Sequence, residues 1–365
     1  MNIDRTLLNW KKSALLIIDM QEDFAYPKGT AYLAGTNGII PIASKIARTF
    51  RNHNLPIIHV VRLYYPDGSN ADICIKGILE AGKKIVLPGT DGAKIISELL
   101  PESAVQPNHD KLLQGEIIQI DSNDWAIYKP RWGAFYETTL DTWLKDKGLD
   151  SLFVIGCNFP NCPRTTIYEA GERDYRIGIV PHAISGIYDK GIQELENIGV
   201  QLFNADQLDN FLESGIVLCD YKPEYQPYFE RFNKAWLKKY YSVEPLDEYV
   251  LTKPEEAILK GGGHILFACY NNTIIGTVGL KNMDNGVMEL TKMAVDESFH
   301  GLGAGKVLCK GAIEKARELN ASKLILYSQK RLPTALGIYR KYGFQEIPLE
   351  EGKYKRADIM MELNL

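Results

Sequence analysis

The stretch LFVIGCNFPNCP, residues 152–163, indicates the fold most directly. Its first four residues, Leu152–Ile155, form a short apolar run typical of a buried parallel strand. Gly156 ends that run, and Pro163 is a residue favoured in the first turn of a helix. The stretch therefore predicts a strand that turns directly into a helix, which is the repeating unit of a doubly wound α/β sheet.

The same alternation continues through the first two hundred residues. Short apolar runs rich in β-branched residues predict buried strands, and apolar residues at helical spacing predict the helices between them. Together they predict a doubly wound parallel sheet with helices on both faces. Besides the strand above, the predicted strands are Ala14–Ile18, Ile57–Leu63, Trp125–Tyr128 and Ile177–Val180, and the predicted helices are Ile39–Phe50, Asp91–Leu100, Thr138–Lys147 and the segment after Pro163.

The stretch Ser214–Pro227 breaks this alternation. It holds Gly215 and two prolines in a polar background, which favours a linker packed on a surface. We therefore expect two domains, residues 1–220 and residues 225–365, with the boundary near residue 220.

The second domain shows a different order of elements and is predicted to be α+β. The Asn271–Asn272 pair between two apolar runs is typical of a hairpin turn, and Gly343 is typical of a helix end. The predicted elements are helices Tyr228–Tyr240 and Lys253–Lys260, strands Ile265–Tyr270, Ile274–Leu280 and Val287–Val295, helix Gly305–Leu319, strand Lys323–Tyr327, helix Thr334–Tyr342 and strand Ala357–Leu363.

Composition limits the class of protein. The chain has 365 residues, 45% hydrophobic and 24% charged, which suits two domains of ~150 residues or more. A formal net charge of -4 argues against nucleic-acid binding, and no apolar run approaches the ~18 residues of a membrane span. Six scattered cysteines are too sparse for a disulfide scaffold. We expect a cytoplasmic protein that acts on small molecules, without nucleic-acid or membrane partners.

Three chemically active side chains follow predicted strands of the first domain. Asp19 comes after Ala14–Ile18, Lys129 comes after Trp125–Tyr128, and Cys162 lies seven residues after the end of Leu152–Ile155. The carboxyl ends of the strands form the ligand crevice of a doubly wound sheet, so these three residues should meet there. Taken singly, such residues are more often a cap, a solvated charge and a small buried apolar residue.

The position of Cys162 before Pro163 predicts a reactive thiol. As the N-cap of the helix it would face free N–H groups and the positive end of the helix dipole, and both lower a thiol pKa. Lys129 would lower this pKa further, Asp19 could accept the thiol proton, and the first amides of the helix could form an oxyanion hole.

Three motifs of the first domain, in this order, resemble those of the isochorismatase-like cysteine hydrolases over residues 10–210. The resemblance implies that Asp19, Lys129 and Cys162 form a catalytic triad, and it implies assembly into a homo-oligomer through this domain. The motifs are LIIDMQEDF (16–24), YKPRWGAF (128–135) and GCNFPNCPRTTIYEA (156–170).

The same resemblance implies a non-proline cis peptide between Cys157 and Asn158. The backbone N–H groups of Asn158 and Cys162 would then form the oxyanion hole. Because members of this family that cleave a vinyl ether lack the cysteine, Cys162 favours hydrolysis of a C–N bond in an amide, carbamoyl or ureido group.

Nicotinamidase-type members of the family carry an Asp-x-His metal cluster after the second strand. The matching stretch here, residues 62–70, reads RLYYPDGSN and has no histidine, while His59 lies inside the strand, so no metal is expected. Arg62, Arg131 and Arg164 flank the three motifs, and both a carboxylate-bearing substrate and ordinary surface salt bridges remain open interpretations.

In the second domain a glycine turn opens a helix. The stretch HGLGAG, residues 300–305, follows the strand Val287–Val295 and exposes backbone N–H groups suited to an anion. With ALGIYRKYGF, residues 335–344, and the order of elements, it resembles the GNAT acetyltransferases over residues 228–363. The resemblance implies transfer of an acetyl group from acetyl-CoA to an amine.

The resemblance also implies roles for single residues. Tyr339 matches the position that often protonates the leaving thiolate, and Glu289 is a candidate base with a structural role as the alternative. The pantetheine arm would pair with strand backbone, and the pyrophosphate would lie on the glycine loop. The expected contacts of acetyl-CoA are Met293, Ala294, Val295, His300, Gly301, Leu302, Gly303, Ala304, Gly305 and Lys306.

The sequence therefore predicts a bifunctional enzyme, a cysteine hydrolase fused to an N-acetyltransferase. In the alternative interpretation only one domain is catalytic and the other is a ligand-sensing or assembly module.

Overall fold

A computed structural model describes residues 5–240, 245–349 and 357–365 of the chain. They form two compact units that divide after Glu213. No helix within these ranges is both long enough and apolar enough to cross a lipid bilayer.

The first unit contains a seven-stranded sheet. Its strands are β1 (Ser13–Ile18), β2 (Ile57–Val61), β3 (Ile118–Asp121), β4 (Asp124–Tyr128), β5 (Ser151–Gly156), β6 (Arg176–Ile184) and β7 (Gln201–Leu202). They lie in the order β3-β4-β2-β1-β5-β6-β7, and every pair is parallel except β3 with β4. The predicted doubly wound sheet is confirmed, and β1, β2 and β5 are buried along their whole length.

Helices lie between these strands. Apolar residues at helical spacing bury one face of the helix Thr36–Asn52. Its Phe50 packs against Phe153 of β5, with ring centroids 5.4 Å apart. The helices of the first unit are α1 (Glu22–Ala25), α2 (Thr36–Asn52), α3 (Ile73–Glu80), α4 (His109–Leu113), α5 (Leu140–Asp146), α6 (Cys162–Gly171), α7 (Asp189–Asn197) and α8 (Ala205–Ser214).

The helix predicted over Asp91–Leu100 is wrong. That stretch forms two short 3-10 turns, Asp91–Ala93 and Ser97–Leu99. Its backbone pairs with the chain after β1, since the N–H of Glu22 donates to the carbonyl of Lys94 at 3.0 Å. A segment whose carbonyls serve a neighbouring loop cannot also use them for its own helix.

The second unit also contains a seven-stranded sheet, in the order β13-β14-β12-β11-β10-β9-β8. The predicted α+β architecture is confirmed. Its strands are β8 (Ile216–Asp220), β9 (His264–Tyr270), β10 (Thr273–Asn282), β11 (Val287–Val295), β12 (Lys323–Ser328), β13 (Gln345–Ile347) and β14 (Ile359–Asn364), and its helices are α9 (Gln226–Tyr240), α10 (Pro245–Thr252), α11 (Pro254–Ala257), α12 (Ala304–Glu318) and α13 (Pro333–Lys341).

Two predictions about this unit are wrong. The predicted linker contains β8, because Ile216–Asp220 pairs antiparallel with Leu266–Tyr270 and completes the edge of the sheet. The predicted helix Lys253–Lys260 is instead the short α11 followed by a 3-10 turn, because Pro254 begins a new helix after α10.

Strand β11 carries an irregularity that shapes the second unit. Lys292 and Met293 together lie opposite Val278 of β10, so one extra residue forms a β-bulge, and Lys292 adopts a φ of 51°. On its other edge β11 pairs with β12 only over Val287–Glu289. Beyond Glu289 the two strands separate, and the later part of β11 has no strand partner on that side among the described residues.

Candidate active sites

The first candidate site lies where the strand order of the first sheet reverses. The chain runs from β1 to β2 and β4 on one side and returns to β5 on the other, which creates a crevice at the carboxyl ends of the strands. The N–H of Asp19 donates to the carbonyl of Val60 at 2.9 Å, and the N–H of Lys129 donates to that of Val61 at 3.0 Å. The parallel register therefore extends past the strands and holds both residues at this crevice.

Asp19 and Lys129 form a buried ion pair. Lys129 Nζ lies 2.9 Å from Asp19 Oδ2, and the two residues are 0% and 3% exposed. Asp19 has a φ of 52°, a conformation that non-glycine residues rarely adopt and that is common at functional sites. Its second oxygen, Oδ1, is buried and accepts no hydrogen bond from any described residue.

Cys162 lies at the beginning of α6, on the same crevice. Asn161 is the N-cap and Cys162 is the first helical residue, so the predicted cap position is off by one. Burial, and then the negative charge of Asp19, raise the pKa of Cys162 to about 12, while Lys129 and Arg62 act in the opposite direction. The predicted lowering of this pKa is wrong for the free site, because removal from water outweighs the nearby cations.

The turn between β5 and α6 brings two backbone N–H groups to the thiol. Gly156 is required here, since its φ is 117° and a Cβ would overlap the carbonyl oxygen of Ile18. The cis peptide predicted between Cys157 and Asn158 is present. In the described residues, the N–H groups of Asn158 and Cys162 donate to no backbone carbonyl, so both are available to a ligand.

The three arginines suspected of binding a substrate carboxylate differ in environment. Arg62 is buried and forms an ion pair with Asp72. Arg164 bonds Glu194 at 2.8 Å and the hydroxyl of Tyr188 at 2.8 Å. The exposed Arg131 donates to backbone carbonyls, among them that of Pro130 at 2.7 Å. Arg62 and Arg164 therefore have carboxylate partners within the protein.

Side chains that the sequence did not single out hold the motifs together. Gln21 donates to the carbonyl of Arg62 and accepts from its N–H, each at 2.8 Å. Thr166 and Glu169 of α6 accept hydrogen bonds at 3.1 Å and 2.9 Å from the N–H groups of Ala134 and Phe135. The only signal for them is their place inside the quoted motifs, since their hydrogen bonds join segments distant in sequence.

A metal site of three or more His, Cys, Asp or Glu side chains is not found among the described residues. His59 is buried, as expected, and its Nε2 lies 2.9 Å from Asp124 of the neighbouring strand. Burial lowers the pKa of His59, which favours the neutral ring. His59 therefore has a structural partner rather than a place at the crevice.

The second unit contains its own large cavity, of about 1290 Å³, where β11 and β12 separate. The lining includes Glu289 and the bulged part of β11, together with residues of α9, α12 and α13. Of the predicted acetyl-CoA contacts, those that line it are Met293, Ala294, Val295, His300, Gly301, Gly303, Ala304, Gly305 and Lys306, and the one that does not is Leu302, whose side chain is exposed.

The glycine loop at this cavity presents free donors. Gly301 and Gly303 have φ values of 91° and 90°, and a Cβ on either would meet no atom of the described residues within 4 Å. The first helical amides, of Ala304 and Gly305, donate to no backbone carbonyl within the described ranges. These amides and the dipole of the 15-residue α12 form a site suited to an anion.

Tyr339 and Glu289 are both buried in the cavity wall. Burial raises the pKa of Tyr339, so the hydroxyl stays protonated near neutral pH and can act as a donor. Glu289 lies at the point where β11 leaves β12. The structure thus brings a buried carboxylate and a phenol to one cavity.

Fold and sites together define a chain of two enzyme domains, a doubly wound α/β domain with a side-chain site at a sheet crevice and an α+β domain with a cavity beside a glycine loop. The family model of the isochorismatase domain matches residues 13–207, and that of the acetyltransferase (GNAT) family matches residues 224–344. The chain belongs to the isochorismatase family, and its second unit matches the GNAT family model. Both are families of enzymes, hydrolases and acetyltransferases respectively.

Relatives from a plant and from bacteria resemble the first unit. A probable inactive nicotinamidase of Arabidopsis thaliana is 27% identical over 198 residues, which are 53% of this chain and 92% of that protein. The ureidoacrylate amidohydrolase RutB of Methylorubrum extorquens is 27% identical over 179 residues, which are 46% of this chain and 67% of that protein.

Solved structures resemble each unit separately. An isochorismatase family protein from Desulfovibrio vulgaris is 30% identical, with a TM-score of 0.48, and covers 55% of this chain and 98% of its own. A GNAT acetyltransferase from Staphylococcus aureus is 27% identical, with a TM-score of 0.38, and covers 41% of this chain and 98% of its own.

Proposed function

We propose that the first unit hydrolyses a C–N bond of a small metabolite, with Cys162 as the nucleophile. One observation carries this proposal. Asp19 uses Oδ2 to bind Lys129 and leaves the buried Oδ1 without a partner among the described residues. A buried carboxylate oxygen without a donor, beside a thiol, is suited to accept the thiol proton.

The raised pKa of Cys162 makes the resting group a thiol. As the sulfur attacks the substrate carbonyl carbon, Asp19 takes the thiol proton. The ammonium group of Lys129 stabilises the negative charge of the carboxylate and of the sulfur. The N–H groups of Asn158 and Cys162 bind the oxyanion. The tetrahedral intermediate collapses, the C–N bond breaks, and Asp19 returns the proton to the leaving nitrogen. Water, deprotonated by Asp19, then hydrolyses the thioester and restores the thiol.

Two relatives bear on this proposal. The similarity to an amidohydrolase supports an amide, carbamoyl or ureido group as the bond cleaved. The similarity to a probable inactive nicotinamidase favours the alternative, in which this unit binds a ligand without cleaving it. The presence of Asp19, Lys129 and Cys162 at one crevice supports hydrolysis over that alternative.

We propose for the second unit the transfer of an acetyl group from acetyl-CoA to an amine. The observation that supports this proposal is the edge of β11 after Glu289, which has no strand partner among the described residues. The chain continues from this edge to the N-terminus of α12, where the first amides donate to no described backbone carbonyl. The pantetheine arm would pair with that edge, and the pyrophosphate would bind the amides. Glu289 would accept a proton from the amine, and Tyr339 would protonate the CoA thiolate.

A metabolite panel that scores ammonia release and free CoA separately tests both proposals. The full chain should release ammonia from an amide, carbamoyl or ureido compound, and Cys162→Ala should not. The full chain should also release CoA in the presence of at least one amine of the panel. A substitution in the glycine loop should reduce that release. If one activity is absent over the whole panel while the other is present, the alternative of a single catalytic domain replaces the bifunctional assignment.

A further inference from the structure

A second buried cation, Arg62, lies beside the crevice of the first unit. Its side chain is 2% exposed at the end of β2, directly before the chain leaves the sheet. A buried guanidinium is costly unless each of its donors has a partner, so its contacts define what it does.

Those contacts tie three strand ends together. One terminal nitrogen, Nη1, donates to the backbone carbonyl of Lys129 at 2.9 Å. The side chain of Gln21, two residues after Asp19, donates to the backbone carbonyl of Arg62 and accepts a hydrogen bond from its N–H. The residues that follow β1, β2 and β4 are therefore fixed to one another through Arg62.

The outer side of the guanidinium is also occupied. Its other terminal nitrogen, Nη2, pairs with Asp72 and donates to the hydroxyl of Tyr64 at 3.0 Å. The Tyr64 ring lies 4.8 Å from the guanidinium carbon. Arg62 is thus held in one orientation and shielded from solvent, which does not suit a residue that captures a substrate carboxylate.

The positive charge of Arg62 acts on the reacting groups. It interacts electrostatically with the carboxylate of Asp19, and it opposes the effects that raise the pKa of Cys162. Lys129 also opposes the rise in the pKa of this thiol. Charge interactions are strong at buried sites, so the loss of one of two cations should be measurable.

We propose that Arg62 is a positioning residue of the hydrolase site, which fixes Lys129 through its backbone carbonyl and supplies a second positive charge to the sulfur of Cys162 as the thiol loses its proton. This inference rests on the proposed role of Cys162. It differs from substrate binding, because Arg62 acts on the protein's own catalytic groups.

The test uses the full chain and needs no substrate. The rate of Cys162 alkylation by iodoacetamide is followed by peptide mass spectrometry between pH 8 and pH 10 in the wild type, Arg62→Met, Arg62→Lys and Asp72→Asn. Arg62→Met should slow alkylation by about tenfold at each pH, the effect of one unit of thiol pKa. Arg62→Lys keeps the charge and should stay within about threefold of the wild type.

Asp72→Asn is the matched control, because it removes the opposing charge and leaves the guanidinium. It should leave alkylation of Cys162 unchanged or make it faster. An unchanged rate in Arg62→Met would overturn the proposal. Equal slowing in Arg62→Met and Asp72→Asn would overturn it too, since it would show that the pair acts through structure alone.

A second readout uses the hydrolysed substrate. Arg62→Lys cannot reproduce the fork that reaches both Lys129 and Tyr64, so it should lower kcat while KM stays the same. Equal kcat values for Arg62→Lys and the wild type would contradict the positioning role. A failure of the proposed function would give a different result. Hydrolysis would then persist in Cys162→Ala, whatever the alkylation rates of the Arg62 variants are.

Discussion

The two candidate sites differ in what they are made of. In the first unit, charged side chains buried at strand ends carry the site, and Lys129, Asp19 and Arg62 are each at most 3% exposed. In the second unit, a cavity of about 1290 Å³ is lined by a bulged strand and a glycine turn, whose backbone groups face it, together with residues of α9, α12 and α13. The first site holds its proposed nucleophile and base in side chains, whereas the proposed binding of acetyl-CoA in the second depends on backbone conformation.

This difference determines how each site can be damaged. A side-chain site loses its chemistry when one functional group is removed, even when the backbone is unchanged. A backbone site tolerates changes of many side chains, and it fails when a substitution fills the space or changes the charge beside the free amides. Substitutions in each unit can therefore test the comparison.

The largest effect is expected for Cys162→Ala. Removing the nucleophile should lower hydrolysis by a factor of about 10³ or more, while acetyl transfer by the same chain should not change. The measurement is ammonia release and CoA release on the substrates from the panel. Cys74→Ala, at an exposed cysteine, is the control that should leave both activities intact. Retained hydrolysis in Cys162→Ala would show that this site does not depend on its thiol.

The next effect concerns the glycine loop. Gly303→Asp places a negative charge beside the free amides and should weaken CoA binding by about tenfold or more, measured by calorimetry. Gly303→Asn is the matched control, because asparagine has nearly the same shape, tolerates the positive φ and carries no charge. If both variants lost the same amount of CoA affinity, the space that a side chain occupies beside the loop, rather than its charge, would determine CoA binding.

The third effect is the pH dependence of Cys162 labelling. Since its pKa is raised to about 12, the thiolate fraction and the alkylation rate should rise about tenfold per unit between pH 7 and pH 10. Near neutral pH, iodoacetamide should therefore label the exposed Cys74 before Cys162. A rate for Cys162 that reaches a plateau below pH 9 would show a lowered pKa instead.

The smallest effect is expected from metal removal. The stretch 62–70 has no histidine, and its Arg62 pairs with Asp72, so hydrolysis should be unchanged after dialysis against a chelator. Ammonia release before and after dialysis is the measurement. Activity that is lost and then restored by zinc or iron would contradict the prediction.

Most strands of both sheets could be predicted because their signals are local, whereas β3, β7, β8 and β13 were not predicted. The apolar runs of β1 and β5 are buried along their length, and the hairpin at Asn271–Asn272 follows from its turn residues. The helix predicted over Asp91–Leu100 and the linker predicted over Ser214–Pro227 were wrong for one common reason. In both, the hydrogen bonds of the backbone go to segments distant in sequence, which local spacing does not reveal.

By itself the sequence determined the order of the two folds, the strand ends that carry Asp19, Lys129 and Cys162, and the glycine turn before α12. Tertiary structure decided the electrostatics of these groups. Burial makes Cys162 a neutral thiol, and the partners of Arg62 turn a suspected substrate ligand into part of the protein's own site. The reason is that solvent exclusion and long-range charge contacts depend on which segments pack together, and pattern along one chain does not specify them.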